Sequence, residues 1–163
     1  MIKILFICHG NICRSAAAEV VLRQKLRERR MTDVFVDSAA TTREELGNDI
    51  YPPMKKALAE KDYVTGRHSA RQTVPADYDR YDLLIGMDWE NMTDMKRIYG
   101  GDLLDKLSLL RSWAGEGDAE IDDPWYTRDF RGALRQIEAG CEGLIGRLWP
   151  ERLPEADGQD EGS

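Results

Sequence analysis

The chain has 163 residues, 42% of them apolar, which is enough for one compact domain to bury a core without metal or disulfide support. Its formal charge of −7 excludes general binding to nucleic acid or to an anionic membrane, because both partners are polyanions that need a basic surface, and so any phosphate site has to be local. Three cysteines, an odd number, suit a reducing compartment in which thiols serve chemistry or packing and not a disulfide framework.

The opening apolar stretch ends at Cys8, which leaves no signal peptide or membrane span and predicts a cytoplasmic protein. Within it, Lys3-Ile4-Leu5-Phe6-Ile7 is β-rich without helical period and reads as a strand buried on both faces. Residues 16–30 are strong helix formers, with Ala18, Leu22 and Leu26 on one face, a basic end, and Ser15 as the predicted N-cap. Val34-Phe35-Val36 reads as a second strand, and residues 54–61 as a helix begun by Pro52-Pro53. Leu83-Leu84-Ile85-Gly86-Met87 predicts a third strand, residues 89–99 a helix, and Leu107-Ser108-Leu109-Leu110 a fourth strand. Residues 129–148 place Phe130, Leu134, Ile137, Cys141, Leu144, Ile145 and Leu148 at three- and four-residue spacing, an amphipathic helix stopped by Pro150, with Cys141 on its core face. The acidic stretch 151–163 holds one apolar residue, Leu153, and is expected to be a disordered tail after a single domain at 1–150.

Alternating strands and helices predict an α/β fold whose parallel sheet is covered by helices, and ligands of such folds bind beyond the carboxyl ends of the strands. Cys8 stands at such an end. The turn Cys8-His9-Gly10-Asn11-Ile12-Cys13-Arg14-Ser15 joins the first strand to the first helix, so successive N–H groups and the positive helix end converge on an anion. The same field stabilises a thiolate, which makes Cys8 a nucleophile at neutral pH. Arg14 supplies a planar fork for two phosphoryl oxygens, Gly10 and Asn11 tolerate positive φ angles, and Ser15 can donate to the sulfur.

The sequence C-x-G-N-x-C-R-S at the end of the first strand resembles the signature of low-molecular-weight protein tyrosine phosphatases. Asp37-Ser38-Ala39-Ala40-Thr41, His68-Ser69-Ala70-Arg71-Gln72, the run from Tyr81 to Asp88, and Asp123-Pro124-Trp125-Tyr126 resemble the family's further motifs, in its order. The resemblance covers most of the chain and implies a three-layer fold with a four-stranded parallel sheet in the order 2-1-3-4. It implies that Cys8 attacks phosphorus, that Arg14 binds the equatorial oxygens, and that Asp123 serves as general acid and then base, with no metal or cofactor. Asp122 is a neighbouring candidate for the acid, but the family's acid directly precedes the proline. Asn11, Ser38 and His68 match a hydrogen-bond network beneath the phosphate cradle, and Trp125 and Tyr126 match an aromatic pair at the pocket mouth. Glu44 falls where the family often has an aromatic or bulky apolar residue, which puts substrate preference at issue. Cys13 matches a thiol able to form a reversible disulfide with the nucleophile.

The expected partner is a phosphotyrosine-containing protein, a tyrosine kinase among the candidates, acted on by a monomer. Arsenate reductases of this fold add a cysteine pair that 87–104 lacks. Protein arginine phosphatases tend to carry threonine where Ile12 stands. Cysteine phospho-carriers have no need of Arg14 and Asp123 together.

Overall fold

A computed structural model describes residues 1–152, so the predicted tail at 151–163 lies almost wholly outside the described residues. Strand β1, Ile2–Cys8, runs through the centre of the molecule, and Ile4, Leu5, Phe6 and Ile7 are all fully buried. Because successive side chains of a strand point to opposite faces, Ile4, Phe6 and Cys8 enter one apolar cluster and Leu5 and Ile7 another. This double burial is why the strand has no polar alternation.

Strand β1 leads through the predicted turn into helix α1, Arg14–Glu28, and then into β2, Val34–Ala40. Helix α2, Pro52–Glu60, the short α3, Asp77–Arg80, and β3, Leu83–Gly86, follow. Helix α4, Trp89–Tyr99, has the predicted bounds, with Asp88 accepting from the Asn91 amide as its cap. Then come β4, Leu107–Leu109, two short helices α5, Leu110–Trp113, and α6, Pro124–Thr127, and the long α7, Phe130–Leu148. A 3-10 turn at Pro150–Arg152 ends the described chain.

All strand pairs are parallel, in the order β2-β1-β3-β4. On one face α1, α2, α5 and α7 contribute Leu22, Met54, Leu110 and Ile137 to the first cluster; on the other, α3 and α4 contribute Tyr78, Met92 and Met95 to the second. The result is the three-layer α/β fold expected from the sequence.

Two local expectations are corrected. Ser15 does not cap α1: the helix begins at Arg14, and Cys13, at the N-cap position, makes no side-chain cap bond. The Ser15 hydroxyl is turned instead toward Cys8 Sγ and Asn11, which leaves the helix N-terminus open to an anion. Strand β2 is also four residues longer than the apolar run that announced it, because Asp37 to Ala40 stay in register with Leu5 to Cys8. Strand β1 lies between β2 and β3, so the strand order reverses beside it, where folds of this kind open a crevice.

Candidate active site

The turn after β1 wraps around the Cys8 sulfur. Sγ receives the Asn11 N–H at 3.3 Å and the Ser15 N–H at 3.4 Å, and lies 3.0 Å from the Ser15 hydroxyl. The loop's carbonyls point outward and are held there: His9 O accepts from Thr42 N and Oγ1, Ile12 O from Tyr51 N, and Asn11 O from His68 Nε2 at 2.6 Å. Since a carbonyl only accepts, His68 Nε2 carries the proton. With the carbonyls tied back, the N–H groups of Gly10, Ile12 and Cys13 find no acceptor among the described residues. That is the arrangement of a backbone anion nest.

Asn11 adopts the predicted positive φ, 59°, but Gly10 does not. A Cβ at Gly10 would come within 3.1 Å of Glu45 Cγ, a tight contact that the Glu45 side chain would have to shift to relieve. Below the loop, the fully buried Asn11 side chain donates from Nδ2 to Ser15 Oγ and Ser38 Oγ, both at 2.9 Å, and accepts the Arg71 N–H on Oδ1. Ser38 in turn donates to the buried Glu19 carboxylate, whose other oxygen pairs with Arg23 at 2.6 Å. Burial pushes the Glu19 carboxyl above its ordinary pKa, against the pull of Ser38 and Arg23.

Arg14 is only 2% exposed. Its Nη1 donates to Asp88 Oδ2 at 2.7 Å and to Ile121 O at 2.8 Å, while Nη2 lies 3.5 Å from Asp123 Oδ2. Burial works against the guanidinium charge, but Cys8, Asp88 and Asp123 hold its pKa above the usual value. Asp123 caps α6, accepting the Trp125 N–H at 3.0 Å, and so fixes the start of the segment that carries both aromatics.

These groups line a cavity of about 180 Å³, with Cys8 and Arg14 inside it and Glu44, Glu45, Asp123, Tyr51, Trp125 and Tyr126 also on its walls. Glu44 is paired with His9, Oε1 to Nε2 at 3.1 Å. Trp125 and Tyr126 are 52% and 81% exposed, as a mouth requires, and Trp125 packs on Tyr51 with ring centroids 5.1 Å apart. Asp122, the other acid considered, is exposed and does not line the cavity. Cys13 lines it as a free thiol whose pKa is driven up by burial and by the nearby Cys8 and Asp123. Cys141 is fully buried in α7, its S–H directed at Ala18 O.

A family model described as low molecular weight phosphotyrosine protein phosphatase matches residues 3–155. The chain belongs to that family. Among its relatives is the low molecular weight protein-tyrosine-phosphatase PtpA of Staphylococcus epidermidis. It is 33% identical over 145 residues, covering 89% of this chain and 92% of PtpA. The crystal structure of YfkJ from Bacillus subtilis matches with a TM-score of 0.88 at 29% identity, covering 93% of this chain and 96% of that one. A Drosophila arginine phosphatase matches with a TM-score of 0.82 at 27% identity, covering 91% and 98%. Membership makes the chain an enzyme, a low molecular weight protein-tyrosine-phosphatase.

For this phosphatase the sequence reading named Cys8, the loop to Ser15, Ser38, His68, Asp123 and both aromatics, and the fold brings all of them to one cavity or its floor. It gave no role to Asp88, Glu19, Arg71 or Tyr51. Asp88 had two signals, its place as a helix N-cap and its place at the end of the Tyr81–Asp88 motif; Tyr51 had none beyond standing before Pro52.

Proposed function

We propose that the protein hydrolyses phosphotyrosine in protein substrates through a cysteinyl-phosphate, with Asp123 as acid and base. The observation that carries this reading is a cysteine sulfur surrounded by three hydrogen-bond donors, sharing its cavity with a buried arginine and an aspartate. Substrate phosphate occupies the nest of loop amides, and Arg14, with Nη1 committed to Asp88 and Ile121, offers Nη2 to the equatorial oxygens. Cys8 Sγ attacks phosphorus as the bond to the phenolic oxygen breaks, and that oxygen takes the Asp123 proton. Water then attacks phosphorus, Asp123 recovers a proton from it, and the thiolate departs into the N–H and O–H groups that hold it. Each carboxyl state is regenerated, so one aspartate serves both halves.

Ile12 lines the cavity with an apolar side chain, which suits a phenyl ring and offers a guanidinium no hydrogen bond; tyrosine is therefore favoured over arginine as the phosphorylated residue. Glu44 and Glu45 at the mouth repel acidic flanking residues and favour basic ones. The reading includes a cytoplasmic monomer, with a tyrosine kinase among candidate substrates.

The test is hydrolysis of p-nitrophenyl phosphate. Wild type turns over and Cys8→Ser does not, while Asp123→Ala slows turnover of phosphotyrosine about a hundredfold or more and keeps phosphate binding. An inactive wild type, or an Asp123→Ala enzyme at full rate, would reject the respective assignment. For the mouth, Glu44→Tyr is expected to raise kcat/KM severalfold for phosphopeptides with acidic flanks relative to basic ones; an unchanged ranking across a peptide panel removes the charge argument.

A further inference from the structure

Hydrogen bonds beneath the cradle have a direction, and the direction has to be imposed from outside the loop. A hydroxyl both donates and accepts, and an amide side chain can present either its oxygen or its nitrogen, so a chain of Ser15, Asn11 and Ser38 is compatible with two opposite polarities. Only one of them leaves the Ser15 proton free for Cys8. In the other, the Asn11 amide is reversed, both serines donate to its oxygen, and the sulfur loses its O–H partner.

We infer that Glu19 is a positioning residue for the nucleophile: its carboxylate forces Ser38 to donate outward, and through Asn11 this directs the Ser15 O–H at Cys8 Sγ. An ionised carboxylate is acceptor-only, so Ser38 Oγ has to spend its proton on Glu19 Oε1 and can only accept from Asn11. Asn11 Nδ2 then gives its two hydrogens to Ser38 and Ser15. Ser15 Oγ, already an acceptor, has its own proton left, and Cys8 Sγ lies 3.0 Å away. The opposite end of the amide agrees, because Asn11 Oδ1 faces the Arg71 N–H, a donor. Arg23, 2.6 Å from Oε2, favours the ionised carboxylate against the burial of a position that is only 8% exposed. A carboxylate under a thiolate is otherwise unfavourable, and an acceptor at the far end of a proton-directing chain is the role that its contacts describe.

This inference rests on Cys8 being the nucleophile, and its test reads the thiol without turnover, so that the two ideas fail separately. In Glu19→Gln the Arg23 guanidinium draws the amide oxygen, the NH2 group turns to Ser38, and the acceptor that takes the Ser38 proton is lost without change of shape, which leaves the Arg71 N–H alone to orient Asn11. Alkylation of Cys8 by iodoacetate at pH 6, located by mass spectrometry, is expected to slow about tenfold, the scale of one hydrogen bond to a charged group. Ser15→Ala slows it similarly. In the double variant the two effects are not multiplied: with no Ser15 hydroxyl to direct, Glu19→Gln adds less than about twofold. For p-nitrophenyl phosphate, Glu19→Gln lowers kcat with KM nearly unchanged. Multiplied effects in the double variant, or a raised KM at unchanged kcat, would overturn the inference in favour of a merely structural carboxylate. Should Glu19→Gln not fold, Ser38→Ala breaks the same link and enters the same cycle.

Discussion

A guanidinium buried to 2% exposure has to be neutralised where it stands, and Arg14 meets Asp88 on one side and Asp123 on the other. Asp123 belongs to the proposed chemistry, but Asp88 never needs to touch substrate to matter. Replacing it by asparagine keeps a good helix cap for α4 and removes the charge that anchors Nη1. Asp88→Asn is therefore expected to raise KM for p-nitrophenyl phosphate and lower kcat/KM about ten- to a hundredfold, the scale of one charged hydrogen bond, together with a lower Tm because the buried guanidinium loses one of its two counter-charges. A large fall in Tm with normal kcat/KM would show that Asp88 serves α4 alone. Cys8, Arg14 and Ser15 were legible before the fold was known because they share one loop; Asp123 with its aromatics, Ser38 and His68 were reached through the family resemblance. Asp88 and Glu19 act through partners 74 and 19 residues away, distances at which no spacing rule applies.

At the scale of elements, the sheet and the long helices follow from hydrophobic pattern, while α3, α5 and α6 do not. Four residues complete barely one turn, too few for a period to be seen. Helix α5 is held by its packing on α7, and this contact depends on glycine. A Cβ on Gly140 would come within 2.5 Å of Leu110 Cγ, and one on Gly143 within 2.0 Å of Trp113 O. The backbone carbonyl cannot turn aside as a side chain can, so Gly143→Ala forces the two helices apart. The expected cost is about 2 kcal/mol, read as a Tm lowered by about 4–8 °C, with kcat retained because the contact is remote from the cavity. An alanine tolerated without loss of Tm would mean that the α5–α7 contact is loose.

Over the whole molecule, the net charge of −7 is compatible with a phosphate site because the positive field is supplied locally, by loop amides, the start of α1 and one buried arginine. Charge also ties the cradle to α3. Arg71, whose amide holds Asn11, donates from Nη1 to Asp77 Oδ2 at 3.1 Å, and the same carboxylate takes bonds from Thr73 and the Val74 amide. Burial opposes the Asp77 charge, but these bonds hold its carboxyl below the usual carboxylate range. A carboxyl depressed in the folded state contributes stability above its unfolded value of about 3.9, and that contribution is lost as pH falls through the folded value. Asp77→Asn is thus expected to lower Tm at pH 7 and to differ much less from wild type near pH 2. An equal difference at both pH values would assign the loss to packing and not to charge. Among the described residues no helix is long and apolar enough to cross a membrane.

By itself the sequence determined the sheet, its helical layers and the loop that carries the nucleophile, because hydrophobic period and a strand-to-helix turn are local properties of the chain. It did not determine where Ser15 points, that Tyr51 walls the cavity beside Trp125, or which acids hold Arg14 and Ser38. Those were decided by the tertiary structure. The strand order reverses beside β1, and this brings segments far apart in the chain to its carboxyl end, where each buried polar atom has to take the partner that burial leaves it.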